Sequence, residues 1–405
     1  NCLTNIKMYC VEKYCVDIII GFFVVSVLLA LGLTNSSEYE DFFSERGDAF
    51  GPEDKAPFEP LTNKPDSFDW QLFQRIALDK NNENVVVSPF SVKILLSILK
   101  EASDSSTLDE LARALVDIPE GEDGHKLYQN ILNSLKEKSE DEEYQLDIGT
   151  KFYVGNFSTP CTDFLEMVKS VYHTSVDNVD FNNPKETAEK INTWCFNVTN
   201  EKIKELVTAD KLDGVDAVLA SAIYFEGKWV LPFNENENSP HNFTLKNGEP
   251  LPISAMSQSG DFYFLETEEL GNGTKLLRMA YEVIATIPFS KLMLFCQNSS
   301  LKLNQNSRKF FKRYNIYLKF FLNITTIFSE TAQLRRLGEN VFVSDIIQKA
   351  GVKVDEKGTA LYGATAKLLG GNPHFRALHP FAFFLEDEKT GALLFAGKVV
   401  NPTTN

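Results

Sequence analysis

Apolar residues repeat with regular periods along most of the chain after about residue 66. The stretch "SFDWQLFQRIALDK" (67–80) has the helical period. Its predicted buried face consists of Phe68, Leu72, Phe73, Ile76 and Ala77. The stretch "AVLASAIYFEGKWVLPF" (217–233) is almost continuously apolar up to a predicted turn at Glu226-Gly227, which indicates a long strand buried on both faces. Early helices followed by long strands predict an α+β fold.

Capping signals mark where two further helices begin. In "NVVVSPFSVKILLSIL" (84–99) a short β-branched strand precedes Ser88 and Pro89. Serine suits the N-cap and proline suits the first helical turn, so a helix is predicted to start here. The stretch "STLDELARAL" (106–115) predicts a second capped helix.

The first 65 residues predict targeting and linker segments. Residues 1–7 precede Met8, the first methionine, and are interpreted as translated leader. Residues 8–32 combine Lys13 with an apolar run that suits a signal-peptide core better than a membrane span, although an uncleaved signal anchor is the alternative. Residues 33–65 are acidic and contain several prolines, and therefore predict a disordered linker. Residues 66–405 then form one folded domain.

The sequence also contains several N-x-[ST] sequons, the acceptor motif for N-linked glycans. The candidate glycosylation sites are Asn35, Asn156, Asn197, Asn242 and Asn272, with further motifs at Asn298 and Asn323. Together with the predicted signal peptide, they support secretion to the extracellular space.

Charge and composition exclude several classes of function. The net charge of -16 over 405 residues argues against nucleic acid or an anionic membrane as the main partner. The five histidines and six cysteines have no metal-site spacing. A G-x-S-x-G elbow and a phosphate-binding loop are also missing from the sequence. We therefore expect no cofactor, no metal and no enzymatic activity.

Residues 283–329 break sharply with this composition. The segment has seven basic residues, no acidic residue and no glycine in an otherwise acidic chain. Its Phe, Ile, Lys, Asn and Leu bias is what AT-rich non-coding DNA gives when translated, so we interpret it as a retained intron that replaces a missing exon. The alternative is a genuine basic insertion that binds heparin or membrane.

The segment "DEKGTALYGATAKLLGGNPHF" (355–375) is rich in small residues and is followed by two predicted strands. The bulky Leu361 and Tyr362 interrupt the small residues. A segment that must leave solvent and slide between two strands needs small side chains and no proline. The residues that meet that demand are Gly358, Thr359, Ala360, Gly363, Ala364, Thr365 and Ala366. An ordinary flexible surface loop is the alternative.

Six motifs occur along the chain in the order found in serpins. They are "NVVVSPFSVKILLSILKEASDSSTLDELARAL", "INTWCFNVTNEKI", "LASAIYFEGKWVLPF", "AMSQSGDFYF", "VFVSDIIQKAGVKVDEKGTA" and "FRALHPFAFFLEDEKTGALLFAGKVVNPT". The sequence thus resembles the serpin family over residues 66–282 and 332–405. This resemblance implies the serpin fold, with three β-sheets, eight or nine helices and an exposed reactive-centre loop.

The resemblance also implies a function and a set of site residues. The expected function is that of a secreted, monomeric inhibitor of trypsin-like or chymotrypsin-like serine proteases, without stable membrane association after signal cleavage. The alternative is a non-inhibitory serpin that serves as a carrier, a binding module or a simple protease substrate. The reactive-loop hinge is expected at Glu356, Gly358, Thr359, Ala360, Leu361, Gly363, Ala364, Thr365 and Ala366. The bond cleaved by the protease is expected among Lys367, Leu368, Leu369, Asn372 and Pro373.

Two further expectations concern the central sheet. By resemblance, the sheet-opening region contains Ser88, Ser91, Ser221, Trp229 and Gln348. Strand alternation puts Thr359, Leu361, Gly363 and Thr365 on one face of an inserted hinge, the face that serpins bury. Leu361 stands where alanine is usual in the family, so we expect it to slow insertion.

Overall fold

A computed structural model of the chain describes residues 68–139, 144–229, 232–257, 263–267, 274–279, 308–313, 323–353, 377–387 and 390–404. Six α-helices lie within these ranges: α1 (Phe68–Asp79), α2 (Pro89–Ala102), α3 (Ser105–Ala114), α4 (Gly121–Ser139), α5 (Thr162–Tyr172) and α6 (Pro184–Val198). Short 3-10 helices span Ala209–Lys211, Glu235–Glu237 and Thr326–Phe328. The helices concentrate in the first half of the described chain, as the α+β prediction requires.

Strands dominate the second half. The first six are β1 (Val85–Val87), β2 (Tyr144–Gly155), β3 (Ser175–Val179), β4 (Ala217–Gly227), β5 (Ser239–Thr244) and β6 (Pro250–Ala255). The other six are β7 (Tyr263–Thr267), β8 (Thr274–Arg278), β9 (Arg308–Arg313), β10 (Asp345–Lys353), β11 (Phe381–Asp387) and β12 (Ala392–Val399).

The largest sheet has five strands in the order β3-β2-β4-β10-β9. Strands β2 and β4 pair antiparallel, as do β10 and β9, whereas β2 with β3 and β4 with β10 pair parallel. A second sheet has the order β1-β12-β11, and two further pairs join β5 to β6 and β7 to β8. The strand β9 lies inside the compositionally unusual segment 283–329 and forms the edge of the largest sheet.

The local predictions for the helices are confirmed with one exception. Helix α1 buries all five of the apolar residues assigned to its inner face. Helix α2 starts at Pro89, and the Ser88 side chain caps it by accepting a hydrogen bond from the Ser91 amide. Helix α3 forms where it was predicted, but it lacks the predicted cap, because it starts at Ser105 and the side chain of its N-cap residue Asp104 makes no capping hydrogen bond.

Strand β4 is the centre of the core and is buried on both faces. Its residues 217–225 are all buried, which explains the continuous apolar run in the sequence. Leu219, Ile223 and Phe225 belong to the main buried cluster, which also contains much of α2. Ala220 and Ala222 point to the other face and share a smaller cluster with residues of α6.

A buried ion cluster fixes α2 against its neighbours. The Lys93 ammonium lies 2.6 Å from Asp69 Oδ2 and 2.8 Å from Asp117 Oδ2, and all three side chains are almost fully buried. Burial raises the pKa of Asp69, although the charge and hydrogen bond of Lys93 act in the opposite direction. Ser88 is the N-cap of α2 and Ser91 lies in its first turn, so the cluster also holds in place the helix end that carries these two serines.

Candidate functional site: the seam between two parallel strands

Strands β4 and β10 form a continuous parallel pair that we call the seam. Nine register pairs join residues 218–226 to residues 345–353, from Val218 opposite Asp345 to Glu226 opposite Lys353. Residues 354–376 follow β10 directly and lie outside the described residues. The predicted hinge and the predicted cleavage region both fall within that range, so their placement stays a prediction. The seam itself is the part of the site that the structure describes.

The Gln348 side chain connects β10 to the start of α2 on the core face of the seam. Its Oε1 accepts a hydrogen bond from the Ser88 amide at 2.9 Å. Its Nε2 donates to the Ser88 carbonyl at 2.9 Å and to Ser91 Oγ at 2.5 Å. All three residues are buried. The predicted association of Ser88, Ser91 and Gln348 is therefore present in the structure.

Ser221 completes this group from the opposite side of the seam. It is the register partner of Gln348 on β4 and is fully buried. Its hydroxyl has no hydrogen-bond partner among the described residues. A buried hydroxyl without a partner weakens the closed sheet, because its lost hydration is not replaced.

Trp229 lies away from these four residues. It follows the end of β4, and six residues of strand separate Ser221 from that end, a distance of roughly 20 Å. The Trp229 side chain is buried and packs edge-on against Phe233, with ring centroids 6.1 Å apart. The residues predicted to form the sheet-opening region thus lie in two separate places, four at the middle of the seam and Trp229 beyond its end.

On the opposite face of the seam, Glu226 forms ion pairs with Lys353 and Lys202. The sequence did not predict this cluster of charges, since the partners of Glu226 are remote in the chain. Glu226 Oε1 accepts from Lys353 Nζ at 2.5 Å, and Glu226 Oε2 accepts from Lys202 Nζ at 3.1 Å and from the Tyr224 hydroxyl at 3.0 Å. Partial burial acts to raise the pKa of Glu226, but the hydrogen bonds from Lys353 and Lys202 outweigh it and lower the pKa below its ordinary value. The turn predicted at Glu226-Gly227 is wrong, because β4 continues through both residues.

The predicted glycosylation sites within the described residues lie on the surface. Asn156, Asn197 and Asn242 are all exposed, and so is Asn323. Asn35 and Asn272 lie outside the described residues. Exposure is what a glycan acceptor requires, but glycosylation at these positions stays a prediction.

The parallel pairing of β4 and β10 determines the direction in which an additional strand could pair with both of them. A chain that leaves β10 and folds back must run antiparallel to β10, and because β4 is parallel to β10 it must also run antiparallel to β4. A strand entering the seam would replace one parallel pairing by two antiparallel ones, which are slightly more stable per residue. The site is therefore suited to receive the segment that follows β10.

Comparisons with known proteins identify the class to which this architecture belongs. The family model for Serpin (serine protease inhibitor) matches residues 63–305 and 309–402. Serine protease inhibitor 2 of Anopheles gambiae is 32% identical over 373 residues, which cover 82% of this chain and 90% of that protein. Antichymotrypsin-2 of Bombyx mori is 28% identical over 375 residues, which cover 83% of this chain and 97% of that protein.

A solved structure shows the same fold. The crystal structure of Manduca sexta serine protease inhibitor (serpin)-12 matches with a TM-score of 0.70 and 22% identity, over 86% of this chain and 99% of that chain. The chain belongs to the serpin family of serine protease inhibitors and has the serpin fold, which confirms the predicted family and fold class. Members of this family are protease inhibitors and generally not enzymes.

Proposed function

We propose that the protein is a secreted inhibitor of trypsin-like or chymotrypsin-like serine proteases that acts as a suicide substrate through its reactive-centre loop, residues 356 to about 374. The serine of the protease attacks a carbonyl carbon of this loop, and the peptide bond breaks as the acyl-enzyme ester forms. The hinge then enters the seam and carries the attached protease with it. Inhibition requires this insertion to precede hydrolysis of the ester by water.

One observation carries this proposal: the parallel seam has the length of the segment Gly358–Ala366, and a chain that folds back after β10 would run antiparallel to both strands of the seam. The seam has nine register pairs, and the small-residue segment Gly358–Ala366 also has nine residues. Residues 354–357 supply the chain needed to reverse direction between β10 and the hinge. Strand addition of this kind is the established way in which a serpin loop joins a sheet.

The same register accounts for the effect expected of Leu361. If the chain reverses over residues 354–357, Gly358 pairs with Lys353 and Leu361 pairs with Ala350. Ala350 is fully buried and belongs to the main core, so Leu361 would enter a closely packed region. Overpacking a core costs about 1–3 kcal/mol, which slows insertion relative to ester hydrolysis.

The bulky side chain of Leu361 also favours the second candidate function, a non-inhibitory serpin. A hinge that enters too slowly releases the protease and leaves the protein cleaved, as for an ordinary substrate. Cleavage at the candidate bonds Lys367-Leu368 or Leu368-Leu369 would also favour substrate behaviour, because it leaves fewer residues to insert.

The test is to mix the protein with one trypsin-like and one chymotrypsin-like protease and to separate the products in denaturing detergent. We expect cleavage between Ala366 and Pro373 and a mixture of covalent complex and cleaved protein. Leu361→Ala should raise the fraction in complex by relieving the overpacking. Tyr362→Ala is the matched control, since Tyr362 alternates to the outer face and should change that fraction less.

Two results would decide against inhibition or against the register. If neither the native sequence nor Leu361→Ala forms a complex with either protease, the non-inhibitory function is correct. If Leu361→Ala lowers the fraction in complex, the assignment of the buried hinge face is wrong.

A further inference from the structure

Glu226 joins three separate parts of the molecule at the end of the seam where β10 leads into the loop. It lies on β4, and its carboxylate bonds Lys353 on β10 as well as Lys202 in the connection between α6 and β4. Glu226 and Lys353 are also register partners across the seam. The two strands are therefore bridged by side chains at the position where a strand would begin to enter.

The connection between α6 and β4 is tied to both sides of the seam. Lys202 in this connection bonds Glu226 on β4, and its ammonium also lies 5.4 Å from the centre of the Tyr224 ring. Three residues further along, the Glu205 carbonyl accepts a hydrogen bond from Lys349 Nζ on β10. The connection thus crosses the seam on the face opposite Gln348, and any separation of β4 from β10 must break at least one of these contacts.

We propose that Glu226 is a positioning residue that keeps the seam closed and sets the rate at which it accepts a strand. Insertion moves β10 away from β4 and so breaks the bond between Lys353 and Glu226, while Lys202 keeps the connection over β4. This inference rests on the proposed function and adds to it the residue that controls the step competing with ester hydrolysis.

The size of the effect follows from the exposure of the three side chains. The side chains of Glu226, Lys202 and Lys353 are 30%, 36% and 33% exposed, so each ion pair is partly screened by solvent. Pairs of this kind contribute about 0.4–1 kcal/mol, which corresponds to a change in rate of about twofold to fivefold. Partial exposure also means that dissolved salt weakens the cluster.

The experiment measures strand entry without a protease. A fluorescent peptide with the sequence of residues 358–366 is incubated with the intact protein, and its incorporation is followed with time. Glu226→Gln keeps the shape of the side chain and removes its charge, and we expect incorporation to be about twofold to fivefold faster. Lys353→Gln should have a similar effect, which provides a second variant if the first does not fold.

A matched control is available on the same face of the sheet. Lys190 on α6 lies 3.4 Å from Asp177 on β3, in an ion pair of comparable exposure that does not cross the seam. Lys190→Gln should leave the rate of incorporation unchanged. High salt should accelerate incorporation into the native sequence and have less effect on Glu226→Gln.

The outcomes separate this inference from the proposed function. If the native sequence takes up the peptide but Glu226→Gln and Lys353→Gln do so no faster than Lys190→Gln, the role of Glu226 is overturned and the proposed function stands. If no folded variant takes up the peptide and no covalent complex with a protease forms, the proposed function is overturned and the role of Glu226 falls with it.

Discussion

At the scale of single residues, the centre of the seam is held by one amide. Gln348 uses its oxygen and its nitrogen to bond the backbone of Ser88, and its nitrogen also bonds the Ser91 hydroxyl. The Ser88 amide and carbonyl are buried at the start of α2, so Gln348 supplies hydrogen bonds that water would otherwise make. A side chain on a strand thereby fixes the position of a helix.

Replacing Gln348 by alanine should destabilise the protein without altering the loop. Gln348→Ala removes the partner of the buried Ser88 amide and one of the donors to the Ser88 carbonyl, which keeps the Val92 amide and the Ser91 hydroxyl. We expect the free energy of unfolding to fall by about 1–3 kcal/mol. Urea denaturation measures this loss. Gln129→Ala on α4 is the control, because Gln129 makes one bond of 3.3 Å at the surface and its loss should cost less than about 0.5 kcal/mol. Equal losses in the two variants would contradict the buried role of Gln348.

At the scale of secondary-structure elements, the parallel pairing of β4 and β10 is the decisive feature. Both strands are held on their outer sides by antiparallel partners, β2 and β9, and contact each other along the whole seam. On one face the seam rests on α2 through Gln348, and on the other it is crossed by the connection after α6. A strand entering the seam therefore displaces side-chain contacts on both faces while the outer pairings stay intact.

A covalent link across the seam should convert the inhibitor into a substrate. Glu226→Cys with Lys353→Cys places two thiols on register partners of neighbouring strands, at a spacing of about 5 Å that a disulfide can bridge. The oxidised double variant should still be cleaved in the loop but should form no covalent complex, because the seam cannot open. Detergent gels measure both products.

The controls for this link are the two single variants and the double variant reduced before the protease is added. All three should form complex, since none of them has the disulfide. A complex of undiminished yield from the oxidised double variant would show that the strand does not enter between β4 and β10.

At the scale of the whole molecule, the sequence match and the described fold establish the family, whereas the interpretation of the segments before residue 68 stays a prediction. The family model matches residues 63–305 and 309–402, and so covers the segment 283–329 except for residues 306–308. Within the described residues, no helix is long and apolar enough to cross a membrane. The predicted signal peptide and the predicted acidic linker both precede residue 68 and lie outside those residues.

Expression in a eukaryotic cell should release a glycosylated protein that starts near Leu33. The pattern of Met8–Leu33 predicts cleavage of a signal peptide, and three candidate acceptors are exposed. Removal of N-linked glycans should lower the apparent mass of the secreted form. Replacing Asn156, Asn197 and Asn242 by glutamine should reduce that shift. A product retained in membranes with residues 18–33 intact would show that the segment is an anchor.

The natural messenger should lack residues 283–329 and carry other codons at that place. The expectation comes from the change in composition, with seven basic residues and no acidic one. Full-length sequencing of the transcript across residues 275–340 measures it directly. A dominant transcript that retains the segment would instead support the basic insertion, and heparin binding would then be the next property to measure.

Much of the local structure could be predicted from the sequence. The inner face of α1, the cap of α2 and the burial of β4 follow from period, capping chemistry and continuous apolar sequence, which depend on neighbouring residues. The motifs also indicated the family, and with it the association of Ser88, Ser91 and Gln348. The length and small side chains of residues 358–366 were equally visible, because they are properties of one segment.

Only the tertiary structure decided the register of the seam and the contacts that depend on it. Glu226 and Lys353 are more than a hundred positions apart, and a shift of one residue between β4 and β10 would separate them. The same register places Ser221 beside Gln348, where its hydroxyl has no hydrogen-bond partner among the described parts of the chain. Trp229 lies beyond the end of the strand. Pairing between distant strands is set by the packing of both faces at once, and no local pattern in the chain records it.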